Sequence, residues 1–337
     1  MHSAVRGPSC RCECSEGVLT ACTQRAMRVV RHLQTGDRPF RDPVVALGNF
    51  DGLHLGHAAI VRRTLERARD LGGDPVVFTF QPHPVSVLAP ERAPRLITSL
   101  AERLRLLRAS GIRGVVVQRF TRAFASLEPE EFVARFLRDA LGVSAVVVGY
   151  NVTFGRERKG TPEVLADIGR RFGFAVEVVP PVQVVERKVS SSAIRRAIEA
   201  GEVHVAAELL GRLHAVRGRV RHGDHRGATI GFPTANILPR GGVLPPDGVY
   251  AVRVGIDGAE PTLPGVANLG TNPTFGGALR RLETHLLDFD RDLYGRDVRI
   301  GLVRRLRGEV RFGSVDALVR QIAADADEAR GILANEP

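Results

Sequence analysis

The stretch GNFDGLHLGH, Gly48 to His57, decides how the first half of this 337-residue chain folds. It follows the apolar run VVAL (Val44 to Leu47) and leads into GHAAIVRRTLERARDLGG, whose apolar residues recur at helical spacing. A short apolar run, a glycine-bearing turn and an amphipathic helix make up half of a strand–helix–strand unit. The texture repeats down to about Val179. PVVFTF, GVVVQ, SAVVVG and FAVEVV read as strands buried on both faces. Between them SLAERLRLLRASG, PEEFVARFLRDALG and TPEVLADIGRRFG read as helices, with starts at Ser99 and Pro162 and stops at Gly72, Gly111, Gly142 and Gly173. Such alternation predicts a parallel sheet with crossover helices, hence a doubly wound α/β domain.

Ligands of a doubly wound sheet bind at the carboxyl ends of its strands, and GNFDGLHLGH sits at the end of the first one read here. If the helix begins near Gly56, His54 lies just before its first turn and His57 within it. Both rings then reach an anion held at the helix N-terminus. Gly48, Asn49, Phe50 and Gly56 complete a nucleotide-binding turn in which glycine lets phosphate approach the backbone. One histidine alone reads as a cap or a packed side chain. Two in H-x-G-H after a strand read as a site.

A second phosphate-binding element is expected in RKVSSSAIRRAIEAG. Ser190, Ser191 and Ser192 stand at a helix start with Arg195 one turn in, combining hydroxyls, free backbone N–H groups and a guanidinium.

After SSSAIRRAIEAGEVHVAAELLG the chain changes character. Residues 216–312 are rich in Gly and Pro, with short β-like runs separated by turns, which predicts an antiparallel barrel or sandwich closed by the helix SVDALVRQIAADADEARGIL. Here GDHRGATIGFPTANI places Gly223, Gly227 and Gly231 in a phosphate-cradling loop that lacks the ordinary G-x-x-x-x-G-K-[ST] pattern. Thr234 and Asn236 offer a hydroxyl and an amide oxygen, hard ligands suited to Mg²⁺. Glu283, on an expected strand in RLETHLLDFDRDLYG, is the well-placed acid, able to take a proton from a hydroxyl. The expected organisation is a tail over 1–26, a first domain over 27–202, a linker helix over 203–215 and a second domain over 216–337.

Composition bounds the partners. The formal charge of +11 comes from 48 Lys and Arg against 37 Asp and Glu, but only two lysines occur and the arginines are scattered, singly or in pairs, through amphipathic segments. Trp is absent and no basic run carries interleaved aromatics, so nucleic acid is not the expected partner. No apolar stretch approaches the roughly 20 residues of a membrane helix, and the start has no signal-peptide core. The expected setting is cytoplasmic. All four cysteines, Cys10, Cys12, Cys14 and Cys22, lie in the opening segment, the first three in C-x-C-x-C spacing, which is unlike that of tetrahedral zinc sites.

LGNFDGLHLGH, PHP at Pro82 to Pro84, VVVGYNVTFG, SSSAIRRAIEAG, AAELLGR, GFPTAN, VANLGTNPTF and ETHLLDFDRDLYG occur in one order. The first resembles the H-x-G-H nucleotidyltransferase superfamily. The whole, residues 27 to about 330, resembles the bacterial bifunctional riboflavin kinase/FMN adenylyltransferase (FAD synthetase) family. Class I aminoacyl-tRNA synthetases share H-x-G-H but pair it with a Lys-Met-Ser-Lys-Ser element not found here. The resemblance implies a Rossmann-like domain followed by an antiparallel β-barrel with a C-terminal helix. It implies riboflavin, FMN and ATP as substrates and Mg²⁺ as cofactor, with His54 and His57 on the triphosphate and Asn151 of GYNVTFG at the flavin site. It further implies that Thr234 and Asn236 bind the metal–nucleotide and that Glu283 deprotonates the ribityl hydroxyl.

Two positions depart from the family pattern. Gln81 stands before PHP where an acid is common, and Ala228 stands in the glycine loop where a basic residue often occurs. Two rival functions are an adenylyltransferase for a pantetheine or nicotinamide phosphate with an accessory barrel, and a flavin-sensing regulator with decayed sites. PTAN and Glu283 argue against the first. Intact His54, His57, Thr234, Asn236 and Glu283 argue against the second.

Overall fold

A computed structural model describes residues 26–223, 226–271 and 280–336. The cysteine-bearing segment, the last four residues of VANLGTNPTF (after Thr271), and Asp224 and His225 of the glycine loop lie outside the described residues, as does the side chain of Ala228.

Six parallel strands form the first sheet: β1 (Arg28–Arg31), β2 (Val44–Leu47), β3 (Pro75–Gln81), β4 (Gly114–Arg119), β5 (Ala145–Gly149) and β6 (Ala175–Val179), in the order β1-β4-β3-β2-β5-β6. Alternate residues of the central strands point to opposite faces, and each face builds its own core. Val45, Leu47, Val76, Phe78 and Val116 pack with Phe132, Phe136, Leu137 and Leu165 on one side. Val44, Ala46, Val77, Val115 and Val147 pack with Ile60, Val61 and Leu107 on the other. Burial on both faces is why these strands read as unbroken apolar runs.

The connecting helices begin and end where the capping residues stand. α1 (Leu55–Leu71) has His54 as N-cap and Gly72, at φ +67°, as C-cap. α2 (Pro84–Leu88) is capped by His83, and α3 (Leu100–Ala109) by the Ser99 hydroxyl. Two short helices, α4 (Arg122–Ala125) and α5 (Pro129–Phe132), follow, and the chain continues helical over Val133–Leu141 with wider i→i+5 winding where ordinary α-helix was expected. α6 (Pro162–Phe172) is capped by Thr161 and ends at Gly173.

Two edges differ from expectation. FAVEVV is not buried on both faces: β6 is an edge strand, and Val178 is exposed. At the other edge β1, with only two apolar residues, escaped the periodicity because an edge strand needs little burial.

A small ribbon, β7 (Gln183–Val184) and β8 (Arg187–Lys188), precedes α7 (Ser191–Glu199) and α8 (Val203–Leu210). Then β9 (His214–Arg221), the short α9 (Arg226–Thr229), β10 (Ala235–Ile237), β11 (Gly248–Ile256), β12 (Leu263–Thr271), β13 (Arg280–Leu286) and β14 (Asp297–Arg307) form the second unit. Its six strands close into an antiparallel barrel in the order β10-β13-β12-β11-β14-β9. Closure removes the exposed edges a sandwich would leave. Val220, Ile237, Tyr250, Val252, Leu269, Leu282 and Ile300 fill the interior. α10 (Val315–Asn335), capped by Ser314, covers the outside through Ala326, Ala329 and Leu333.

Candidate active site

In the parallel sheet β2 lies between β3 and β5, so the chain leaves β2 toward one side and later crosses to fill the other. The carboxyl ends of β2 and β5 therefore flank a topological switch point, where a crevice forms. A cleft of about 1110 Å³ opens there. Gly48, Asn49, Phe50, His54, Gly56 and His57 line it from the β2 end, and Asn151 from the loop after β5. Ser190, Ser191, Ser192 and Arg195 line it from the start of α7. Residues some 140 positions apart in sequence thus share one cavity.

The two histidines are stacked, with ring centroids 3.7 Å apart and planes 16° from parallel. His54 Nδ1 accepts the backbone N–H of His57 at 3.3 Å, so in the neutral ring the proton resides on Nε2. Gly56 makes room for this stack: a Cβ there would sit 3.2 Å from the His54 ring. Burial drives the His54 pKa down to about 4, opposed by nearby Asp51. Burial, followed by the charges of His54, Arg103 and Arg212, lowers His57 well below the usual histidine value. Both imidazoles are neutral at pH 7. His57 Nδ1 is buried with no hydrogen-bond partner among the described residues, a deficit of about 1–3 kcal/mol.

Ser190, Ser191, Ser192 and Arg195 reach the cleft, and Ser190, Ser191 and Arg195 already have partners. Ser190 caps α7 by accepting from the Ala193 N–H at 3.2 Å, and the Ser191 hydroxyl donates to the Asp51 carbonyl at 3.1 Å. Arg195 donates from Nη2 to the Asp51 carboxylate at 2.9 Å and from Nε to the Arg95 carbonyl.

Asp51 escaped the sequence reading. It is 1% exposed, and its carboxylate also accepts the N–H groups of Ile97 and Thr98 at 3.0 to 3.1 Å. An acid in the middle of GNFDGLHLGH was a visible signal, but only the fold shows that it clamps three segments together. His83 lines the cleft too, capping α2 through Nδ1, with its pKa lowered chiefly by burial. Phe80, Phe120, Phe124, Phe132 and Phe154 furnish an apolar aromatic wall suited to a flat ring system. Gln81 ends β3, and its carbonyl accepts the Phe120 N–H.

The second constellation lies on the barrel. Asn236 of β10 is directly opposite Glu283 of β13, and Asn268 of β12 faces Glu283 from the other side. The neighbours Ile237 and Leu282 fill the interior, so alternation turns Asn236, Asn268 and Glu283 outward. Asn236 Nδ2 donates to Thr234 at 3.4 Å to the carbonyl and 3.5 Å to the hydroxyl. Gly223 packs so closely on Asn236 that a Cβ would meet its Nδ2 at 2.4 Å. Gly227 backs onto the Phe232 carbonyl, and Gly231 turns at φ +87°. Asn268 was missed because its place beside Glu283 depends on strand register.

Among the described residues no cluster of three or more His, Cys, Asp or Glu side chains could hold a metal. The donors at hand, Thr234, Asn236 and Glu283, are all oxygen ligands. That set fits a hard cation which retains water and bridges phosphates, and does not fit a zinc-type centre.

Residues 37–193 match the family described as FAD synthetase, and residues 210–333 match the family described as riboflavin kinase. The bifunctional riboflavin kinase/FMN adenylyltransferase of Escherichia coli (strain K12) is 40% identical over 305 residues, covering 90% of this chain and 97% of that one. That of Bacillus subtilis (strain 168) is 37% identical over 298 residues, covering 87% and 93%. A solved Streptococcus pneumoniae structure described as a macrolide-efflux protein superposes with a TM-score of 0.81 at 36% identity, covering 90% of this chain and 99% of that one. No helix among the described residues is long and apolar enough to cross a membrane. With both halves matched in this order and nearly the full length of such enzymes aligned, the chain belongs to the bifunctional riboflavin kinase/FMN adenylyltransferase family.

Proposed function

We propose that residues 216–337 phosphorylate riboflavin and residues 27–202 adenylylate the FMN so made. In the barrel, Glu283 accepts the proton of the ribityl 5′-hydroxyl as its oxygen attacks the γ-phosphorus of ATP, and ADP leaves. A neutral alcohol is a poor nucleophile, which is why a carboxylate belongs there. Thr234 and Asn236 are the residues that would hold Mg²⁺, which supplies charge neutralisation on the phosphates when bound.

In the cleft, a phosphate oxygen of FMN attacks the α-phosphorus of a second ATP, and pyrophosphate leaves. This nucleophile is already an anion, so the site needs positioning and electrostatic stabilisation rather than a base. The neutral imidazoles of His54 and His57 act as N–H donors to the triphosphate, whose charge in turn raises their pKa values. Asn151 and the phenylalanine wall take the flavin. Ser190, Ser191, Ser192 and Arg195 frame the phosphates beside the first turn of α7.

The observation that carries this reading is the register Asn236–Glu283 on the barrel surface, set apart from the stacked histidines of the other domain. One constellation contains a base opposite a metal-type ligand, and the other contains neutral donors at a helix N-terminus. The test is to incubate the full chain with riboflavin and Mg-ATP and separate the flavins. His57→Ala is expected to lower FAD formation about 10²–10³-fold while FMN accumulates; loss of FMN and FAD together would contradict separate sites.

A further inference from the structure

The loop that presents His54 has an unusual backbone. Phe50, Gly52 and Leu53 have φ values of +51°, +81° and +39°, in the left-handed region that bulky residues such as Phe and Leu avoid. Such a conformation persists only when its surroundings over-determine it. The polar groups of this loop are accordingly held from outside. The Gly52 N–H donates to the Thr98 hydroxyl at 3.0 Å, and the Asp51 carbonyl accepts from Ser191. Within the loop the Leu53 N–H donates to the Phe50 carbonyl, and the carbonyls of Gly52 and Leu53 are both gripped by Arg212, whose Nη1 lies 3.1 Å from the Leu53 oxygen.

Arg212 comes from the far half of the chain. It belongs to AAELLGR, a motif to which neither reaction assigns a task, and lies within the segment matching riboflavin kinase. Its neighbour Gly211 ends α8 at φ +69°, and a Cβ there would meet the Leu55 side chain at 2.5 Å. Only glycine lets the chain press this closely on the residue that follows His54. The guanidinium is buried; desolvation brings its pKa down to about 10, which leaves it charged at neutral pH.

We infer that Arg212, at the entrance to the kinase half, is a positioning residue for adenylyl transfer: by clamping the Gly52 and Leu53 carbonyls it holds the strained loop that aims His54. This rests on the assignment of the His54–His57 cleft to adenylyl transfer. It makes the adenylylation site dependent on a side chain of the segment that leads into the kinase half, so that this segment is more than a tether between the two activities.

The test uses the purified full chain with FMN and Mg-ATP, and riboflavin phosphorylation by the same preparation as an internal control. Arg212→Ala is expected to lower kcat for FAD formation about tenfold or more, with KM for FMN and ATP within about threefold of the parent. FMN formation is expected to be unchanged. Arg212→Lys, which retains a cationic donor, is expected to recover most of the rate. Arg217→Ala supplies the contrast, since it cuts the interdomain Arg217–Glu102 ion pair of 2.8 Å without touching the loop, and is expected to leave kcat intact. Parental kcat in Arg212→Ala, equal losses in Arg212→Ala and Arg217→Ala, or no recovery in Arg212→Lys would each overturn the inference. A parent chain that phosphorylates riboflavin yet makes no FAD from FMN would overturn the site assignment and the inference together.

Discussion

Glu283 and the histidine pair show how much a single side chain depends on what surrounds it. On the outer face of β13, Glu283 stands between Asn236 and Asn268, with Thr234 one step beyond. A carboxylate so placed can orient a hydroxyl and carry away its proton, and an amide of the same shape cannot. Glu283→Gln is therefore expected to abolish FMN formation from riboflavin while FAD formation from supplied FMN continues at the parental rate. Parallel assays on the two substrates check this, and a normal kinase rate would remove Glu283 from its role. His54 and His57 carry the opposite lesson. Outside the fold they would titrate near the ordinary value; inside it, burial keeps both neutral, so in the proposed reaction they serve as hydrogen-bond donors rather than as fixed cations.

At the scale of elements, the cleft is assembled by the loop after β2, the loop before α3 and the first turn of α7, and Asp51 joins all three. Its carboxylate takes two backbone N–H groups from Ile97 and Thr98 and the Arg195 guanidinium, while its own carbonyl takes the Ser191 hydroxyl. Removing a buried partner of an ion pair leaves the other charge without compensation, at a cost of about 3–5 kcal/mol. Asp51→Ala is expected to destabilise the chain by about that amount in denaturant unfolding. A midpoint within error of the parent would show that the clamp is idle. On the barrel, Gly227 lets the chain approach the Phe232 carbonyl and Gly223 packs against the Asn236 side chain, approaches that a side chain at either glycine would crowd.

Across the whole molecule the two halves meet through charge as much as through apolar packing. Glu102 of α3 accepts Arg105 from its own helix and Arg217 from β9, and lies 3.6 Å from Arg299 of β14; Arg299 in turn reaches Glu260. Beside this cluster His214 is buried, with Nε2 3.0 Å from the Val243 carbonyl, and burial lowers its pKa to about 4. His54, His57 and His214 therefore favour the neutral form in the fold. Their folded pKa values lie below the unfolded value near 6.5, so between pH 6.5 and about 4 the unfolded chain binds more protons than the folded one. Stability is expected to fall as pH drops through that window and to be nearly level from pH 7 to 8 as far as these groups are concerned. Thermal melts across the range measure it. A melting midpoint that stayed constant or rose on acidification would be incompatible with three buried neutral imidazoles.

Much of this arrangement was legible beforehand. Runs such as VVAL and PVVFTF announce strands covered on both faces, because a parallel sheet between two helix layers leaves no polar side to encode. Ser99, Pro162 and the glycines at 72, 142 and 173 mark helix ends through local hydrogen bonding, a fixed φ and left-handed backbone, all properties of the residue itself. H-x-G-H and PTAN likewise stand out as candidate sites, since the donor types and their spacing are local. What required the tertiary structure was everything fixed by contact between distant segments. The partners of Asp51, the outward pairing of Asn268 with Glu283, the aromatic wall and the neutrality of the histidines all depend on which strands become neighbours and how deeply each group is buried. Arg212 belongs to this second class: 160 positions separate it from the Gly52 carbonyl it holds. A one-dimensional pattern encodes propensity and capping, whereas hydrogen-bond partnership and desolvation exist only once the chain has folded back on itself.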